Sequence, residues 1–229
     1  YKSVMESFVH AGVENNARVN IKWVKTEKIK SNISAEKEFD GVDGILLLPG
    51  FGSRGVEGKV RSSKYARETN MPFLGICLGL QCAVIDYARN VCGLADANST
   101  EFSKKTKYPV IDLLESQKAI KIKGGTMRLG AYNCDILTGT TIFKAYKKNK
   151  ISERHRHRFE VNNKYRKILE KNGLTFSGIN SDLGVVEAVE ITNHPWYVAS
   201  QFHPELKSRV NKAHPLFRDF IKATIKNKS

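Results

Sequence analysis

The stretch PFLGICLGLQCAV, Pro72 to Val84, sets a cysteine between two glycines, behind one apolar run and ahead of another. PFLGI (72–76) is short and apolar, the pattern of a strand buried on both faces. From Leu78 to about Asn90 the apolar spacing becomes helical. Cys77 therefore stands at a strand-to-helix junction, with Gly75 and Gly79 two residues to either side. This is the cysteine version of the G-x-S-x-G elbow, whose turn is so sharp that side chains at both glycine positions would collide with sheet or helix. The elbow predicts a thiol at the C-terminal edge of a sheet and at a helix N-terminus, where the partial positive charge favours thiolate. The Leu78 N–H, unpaired in the first helical turn, is then free to bind an oxyanion. Taken alone, Cys77 has a second reading as a small buried hydrophobe, the usual fate of a free cysteine.

Outward from the elbow the chain alternates. Residues 2–14 have helical spacing, ARVNIKWV (17–24) alternates like a half-buried strand, and GVDGILLLPG (41–50) reads as a doubly buried strand. GKVRSSKYARETN (58–70) is a helix ahead of the 72–76 strand. Strand–helix–strand–helix order implies a parallel sheet covered on both faces. The second half is more strand-like: KAIKI (118–122), TMRLGAYNCDIL (126–137), TFSGIN (175–180), VVEAVEI (185–191) and WYVASQF (196–202) are short runs punctuated by Gly or Asn. A helix at 214–228 closes the chain. The polar span from Asn98 to Gly125, with Lys104, Lys105 and Lys107, reads as a long loop. With no internal repeat and no composition break, residues 1–229 are expected to form one domain. The fold class is α/β: a mostly parallel central sheet flanked by helices, with a smaller antiparallel element.

The chain has 229 residues, 41% of them hydrophobic, and a net charge of +15. No run approaches the roughly 18 apolar residues of a membrane span, and there is no signal-peptide pattern, so a soluble protein is expected. Cys77, Cys82, Cys92 and Cys134 form no C-x-x-C pair, which favours a reducing, cytoplasmic compartment. The lysines are scattered and not interleaved with aromatics, a solvated surface and not a nucleic-acid site. The chain opens YKSVMESFVHAG, without Met and inside a helical pattern, which suggests that a further N-terminal portion exists.

A second motif gives the cysteine a partner. WYVASQFHPEL (196–206) ends an apolar strand in His203-Pro204-Glu205. If that segment is extended, His203 and Glu205 point the same way. The carboxylate can then hold the imidazole tautomer while the other ring nitrogen takes the thiol proton. RHRHR (154–158) could be a basic patch or an H-x-H metal site, but no carboxylate or thiolate has ligand spacing nearby. Arg158 as an anchor for a substrate carboxylate, with the other four residues in structural hydrogen bonds, is the better account. Cys82, Cys92 and Cys134 read as packing residues. GFGSRG (50–55) lacks the Lys-Ser/Thr pair of a phosphate-binding loop and reads as an oxyanion loop.

PFLGICLGLQ with QFHPE resembles the class I glutamine amidotransferases, in which a Cys–His–Glu triad hydrolyses the side-chain amide of glutamine. GFGSRGVEGK (50–59), YARNVCGLADANSTEF (87–102), GGTMRLG (124–130), ERHRHRFEVN (153–162) and NHPWYVASQFHPE (193–205) are similar to one branch of that family, over almost the whole chain. In that branch an N-terminal synthetase domain of the same polypeptide uses the ammonia, with ATP and Mg²⁺, to aminate UTP to CTP. The resemblance implies a flavodoxin-like fold, Cys77 as nucleophile, His203 as base and Glu205 as its orienter. It implies oxyanion donors at Gly50 and Leu78, and a glutamine site lined by Leu78, Gly79, Leu80 and Gln81. Glu101 would take the α-ammonium of glutamine and Arg158 its α-carboxylate, Arg154 and Arg156 being the alternatives. It further implies no cofactor or metal in this domain, ATP and Mg²⁺ only in the synthetase domain, and a homo-oligomeric (tetrameric) full-length enzyme. Two positions depart from the pattern: Pro49 stands where a glycine is usual, and Leu206 where an aromatic commonly follows H-P-E. A catalytically idle, partner-docking module is the rival reading, opposed by the intact triad.

Overall fold

The structure, a computed structural model, describes residues 1–114 and 127–228. The elements of the first half are helices α1 (Lys2–Glu14), α2 (Asn32–Glu38), α3 (Val56–Glu68) and α4 (Leu78–Asn90), and strands β1 (Ile45–Leu47), β2 (Phe73–Ile76), β3 (Ala97–Ser99) and β4 (Tyr108–Asp112). The second half adds β5 (Arg128–Ile136), α5 (Thr141–Tyr146), β6 (Lys150–His157), β7 (Glu160–Val161), α6 (Arg166–Lys171), β8 (Thr175–Asn180), β9 (Val185–Glu190), β10 (Tyr197–Ser200) and α7 (Pro215–Lys228).

Among the described residues, a seven-stranded sheet runs in the order β1-β2-β10-β9-β8-β5-β6. β1, β2 and β10 pair in parallel, and the other four pair antiparallel, extending the sheet on one side. A second sheet, β3-β4-β7, lies beside α4. β2 shows why the parallel part is so apolar. Phe73 enters the core formed with α2, α3 and α4, whereas Leu74 and Ile76 enter the core formed with α1, α5 and α7. β10 repeats the division, with Tyr197 and Ala199 on one face and Val198 on the other. A strand wetted on neither face has no use for polar alternation.

α4 is buried from Leu78 through Ala88, so its two polar positions must be answered inside. Asp86 accepts from Arg67 Nε at 3.1 Å and from Asn90 Nδ2 at 2.8 Å, and Gln81 Nε2 donates to the Phe159 carbonyl at 3.0 Å.

Several elements differ from the sequence reading. The 41–50 strand contracts to Ile45–Leu47, and the 17–24 stretch belongs to neither sheet although its exposure still alternates from Ala17 to Asn20. The span read as a long loop holds β3 and β4, and the KAIKI run at 118–122 lies outside the described residues. β6 escaped notice because its inward positions include Glu153, His155 and His157, so its period of two is written in buried polar residues. Helices α2, α5 and α6 are too short for apolar periodicity to announce them.

Candidate active site

The C-terminal ends of three parallel strands meet at one edge of the sheet. β1 leads into Leu48-Pro49-Gly50, β2 into Cys77, and β10 into the turn that carries His203 and Glu205. Such an edge is where open α/β sheets bind ligands, because the chain leaves the sheet there in loops.

Cys77 has φ 54° and ψ −102°, a conformation that L-residues rarely adopt. It is held there from both sides: its N–H donates to the Ser200 carbonyl at 2.7 Å, and its carbonyl accepts from Gln81 N–H at 3.2 Å. The flanking glycines make the turn possible. A Cβ at Gly75 would lie 2.9 Å from the Ala199 side chain and from the Gly79 backbone, and one at Gly79 would lie 2.6 Å from the Leu47 carbonyl oxygen. β2, β10 and α4 thus approach too closely for any side chain there. A strained residue held by its surroundings at a cleft is characteristic of a functional position. Cys77 is nevertheless only 3% exposed, less open than the elbow pattern suggests.

His203 Nδ1 and Glu205 Oε1 are 2.7 Å apart. A turn makes this contact, not strand alternation: Pro204–Leu206 is a short 3₁₀ helix, and it folds the carboxylate back onto the ring. His203 is anchored by its N–H to the Arg154 carbonyl at 2.8 Å. Burial disfavours the charged imidazole, but the Cys77 thiol and the Glu205 carboxylate outweigh it and raise its pKa to about 10. Nε2 is buried and makes no hydrogen bond of good geometry among the described residues. A catalytic contact is often loose until substrate arrives.

A pocket beside Cys77 is lined by Gly50, Phe51, Gln81, Glu101, Met127, His157, Arg158 and Phe159. The small sheet supplies two of its walls. Glu101 follows β3, and Arg158 and Phe159 join β6 to β7. Glu101 Oε1 accepts from Gly52 N–H at 3.0 Å, which ties the loop after β1 to the acidic wall. Among the described residues, neither the Gly50 nor the Leu78 N–H donates a hydrogen bond, so both are available to a ligand. Of the residues expected to line a glutamine site, Leu78 packs near Gly50, Leu80 is wholly buried in the core, and Gly79 faces β1. None of those three is among the residues that line the pocket; of the four, only Gln81 is.

Below the pocket, the RHRHR run alternates along β6, which removes it as a surface patch. His155 and His157 point inward, whereas Arg154 and Arg156 are exposed and Arg156 reaches over the Phe51 ring at 6.0 Å. The expectation that all four hold structural hydrogen bonds is thereby corrected for three of them: strand alternation sends the Arg154 and Arg156 side chains outward, and neither ring nitrogen of buried His155 makes a hydrogen bond among the described residues. His157 Nε2 lies 2.7 Å from Glu160 Oε1. Arg128 bridges Glu160 at 3.1 Å and Glu187 at 2.6 Å, an ionic cluster buried beneath the site. Burial pushes the Glu187 carboxyl up to about 8 against the pull of Arg128, and pushes His155 down to about 2. Phe51, Met127, His157 and Phe159 were not expected from the sequence to line a pocket. Only the adjacency of His157 and Phe159 to Arg158 could have indicated them. Among the described residues no group of His, Cys, Asp or Glu is arranged to hold a metal ion, and no helix is long and apolar enough to cross a membrane.

Comparison with known proteins places this geometry. The family model for glutamine amidotransferase class-I matches residues 1–223. The CTP synthase of Pelodictyon phaeoclathratiforme is 57% identical over 224 residues, and that of Prosthecochloris aestuarii is 58% identical over 224. In both cases 97% of this chain is covered, but the chain spans only 40% of the relative's length. The glutaminase domain of the Trypanosoma brucei enzyme, solved with bound acivicin, superposes with a TM-score of 0.92 at 37% identity, covering 99% of this chain and 88% of that one. A GMP synthase subunit from Thermoplasma acidophilum, at 18% identity and a TM-score of 0.62, shares the fold. The chain belongs to the class I glutamine amidotransferase family, and its similarity within that family is to the glutaminase domains of CTP synthases.

Proposed function

We propose that this chain is a single glutaminase domain that hydrolyses the side-chain amide of L-glutamine through a Cys77 γ-glutamyl thioester. The Cys77 thiolate attacks the amide carbon, and the oxygen takes up negative charge facing the Gly50 and Leu78 N–H groups. Collapse expels ammonia, protonated by the His203 imidazolium, and leaves the thioester. Water, deprotonated by His203, then attacks the thioester, glutamate departs, and the thiol regains its proton. Glu205 holds the ring so that Nε2 faces the sulfur throughout. Glu101 receives the substrate α-ammonium, and Arg158 binds the α-carboxylate with a guanidinium fork suited to it. The chain itself needs no cofactor in this reading.

The observation that carries the reading is the convergence, at the ends of β1, β2 and β10, of a strained cysteine, a His–Glu pair at 2.7 Å and two free N–H groups. In the full-length cytoplasmic enzyme, the ammonia passes to an N-terminal synthetase domain of the same polypeptide, which aminates UTP to CTP with ATP and Mg²⁺ in a homotetramer. Acivicin, the ligand of the T. brucei domain, is expected to occupy this pocket too.

The test is glutamate release by the wild-type chain and by Cys77→Ala, with peptide mapping of an electrophilic glutamine analogue. Loss of the nucleophile should lower turnover on the order of 10⁴-fold or more, and the label should fall on Cys77 while sparing Cys82, Cys92 and Cys134. A label spread over all four cysteines, or full activity in the alanine variant, defeats the reading.

A further inference from the structure

Lys59 lies in the first turn of α3, where its N–H donates to the Gly55 carbonyl at 3.0 Å. Glu57, two residues earlier, is exposed, but the Lys59 side chain runs back beneath the loop that follows β1 and is half-buried. Its Nζ donates to the Leu48 carbonyl at 2.7 Å. The same ammonium stands 3.8 Å from the position a Cβ would take on Gly50, with Leu78 Cδ2 at 3.5 Å from that point. The cation therefore touches the loop that carries one oxyanion donor and adjoins the side chain of the residue that carries the other.

This loop needs support. Pro49 contributes no N–H to hold it. Its carbonyl is directed at the Tyr1 hydroxyl at 3.4 Å, and because the peptide is trans, the Gly50 N–H points the opposite way. Withdrawing an ammonium from water for one carbonyl is costly unless the charge serves something nearby. Burial lowers the Lys59 pKa, and the thiols of Cys82 and Cys77 act in the opposite sense.

We propose that Lys59 is a positioning residue of the hydrolytic site: its ammonium clamps the 48–50 turn in the conformation that presents the Gly50 N–H, and its charge favours the Cys77 thiolate. The proposal rests on the reading of Cys77 as nucleophile. The other charged or titratable groups facing that thiol are His203 with Glu205 from the turn after β10, Glu101 from the segment after β3, and His157 and Arg158 at the end of β6. Lys59 adds to these, from α3, a fixed positive charge.

The experiment compares the wild-type chain with Lys59→Met, Lys59→Gln and Lys59→Arg in two measurements: glutamate release, and the pH dependence of Cys77 alkylation by iodoacetamide, read by peptide mapping. In Lys59→Met the alkylation midpoint should rise by about one pH unit. Its kcat should fall about tenfold or more, less than the 10²–10³ for loss of an oxyanion donor itself, while KM for glutamine changes less than about threefold. Lys59→Gln, which keeps a donor without charge, should show the same rise in midpoint, and it replaces the Met variant if that one folds poorly. Lys59→Arg should return the midpoint to the wild-type value. If the Met and Gln variants match wild type in both measurements, Lys59 has no such role. If the wild-type chain neither releases glutamate nor alkylates preferentially at Cys77, the reading of the nucleophile fails first, and the role of Lys59 falls with it.

Discussion

Gly79→Ala puts a single methyl group between the two elements that carry the proposed oxyanion donors. Its Cβ would sit 2.6 Å from the Leu47 carbonyl oxygen and 3.0 Å from Leu47 Cβ. Ordinary contact begins at 3.4 Å, so α4 and β1 must part by about 0.8 Å. Leu47 is three residues before Gly50, and Gly79 directly follows Leu78, so the displacement falls between the two N–H groups. A misplacement near 1 Å in a preorganised site can cost on the order of 10² in rate. The stability effect should be smaller. Overpacking costs about 1–3 kcal/mol, offset by about 1 kcal/mol because alanine is the better helix former. A net loss of about 0–2 kcal/mol lowers Tm by at most about 8 °C for a chain of this size. A coupled assay of glutamate release should therefore show kcat down about a hundredfold with KM within about threefold, in a protein that melts cooperatively and whose Cys77 still alkylates. Wild-type kcat in the folded variant would refute the placement of the oxyanion hole between Gly50 and Leu78.

Three further outcomes are expected. Arg158→Ala should raise KM for glutamine about 10- to 100-fold by removing a charge-assisted contact, with Cys77 still reactive toward iodoacetamide; an unchanged KM in glutamate-release assays would move the anchor to Arg154 or Arg156. His203 should titrate by NMR well above 6.5, toward about 10, and Cys77→Ala should lower that value because one of its raising partners is gone. Since the folded-state pKa exceeds the unfolded one, the stability this histidine contributes is complete below about pH 6.5 and fades as pH rises toward 10; an unshifted resonance in Cys77→Ala would show that the two residues are uncoupled. Arg128→Ala removes the cation that bridges Glu160 and Glu187. Because the Glu187 carboxyl is raised to about 8 even beside Arg128, the loss in denaturant unfolding should be about 3–5 kcal/mol at about pH 9, where Glu187 is charged, and smaller at about pH 6. An equal loss at both pH values would show that Glu187 does not depend on Arg128 for its charge.

The elbow was legible because its constraints are local. G-x-C-x-G after a short apolar run requires a strand, a turn without side chains and a helix, and Gly75, Cys77 and Gly79 occupy those places. The parallel strands β2 and β10 were legible for a related reason, since burial on both faces leaves a mostly apolar run without polar alternation. The His203–Glu205 pair was visible as a spacing, but its geometry was not, because a turn and not an extended strand closes the 2.7 Å contact. What stayed hidden depends on contacts between segments distant in the chain. β6 buries Glu153, His155 and His157. His214, 61 residues on, comes to meet Glu153, and Tyr146 and Glu160 add nearer partners for Glu153 and His157, whereas His155 stays neutral because burial lowers its pKa. Lys59 reads in sequence as one more surface lysine among many. Only the tertiary structure draws its ammonium under the 48–50 turn, because β1, α3 and α4 pack so that the Leu48 carbonyl lies within its reach.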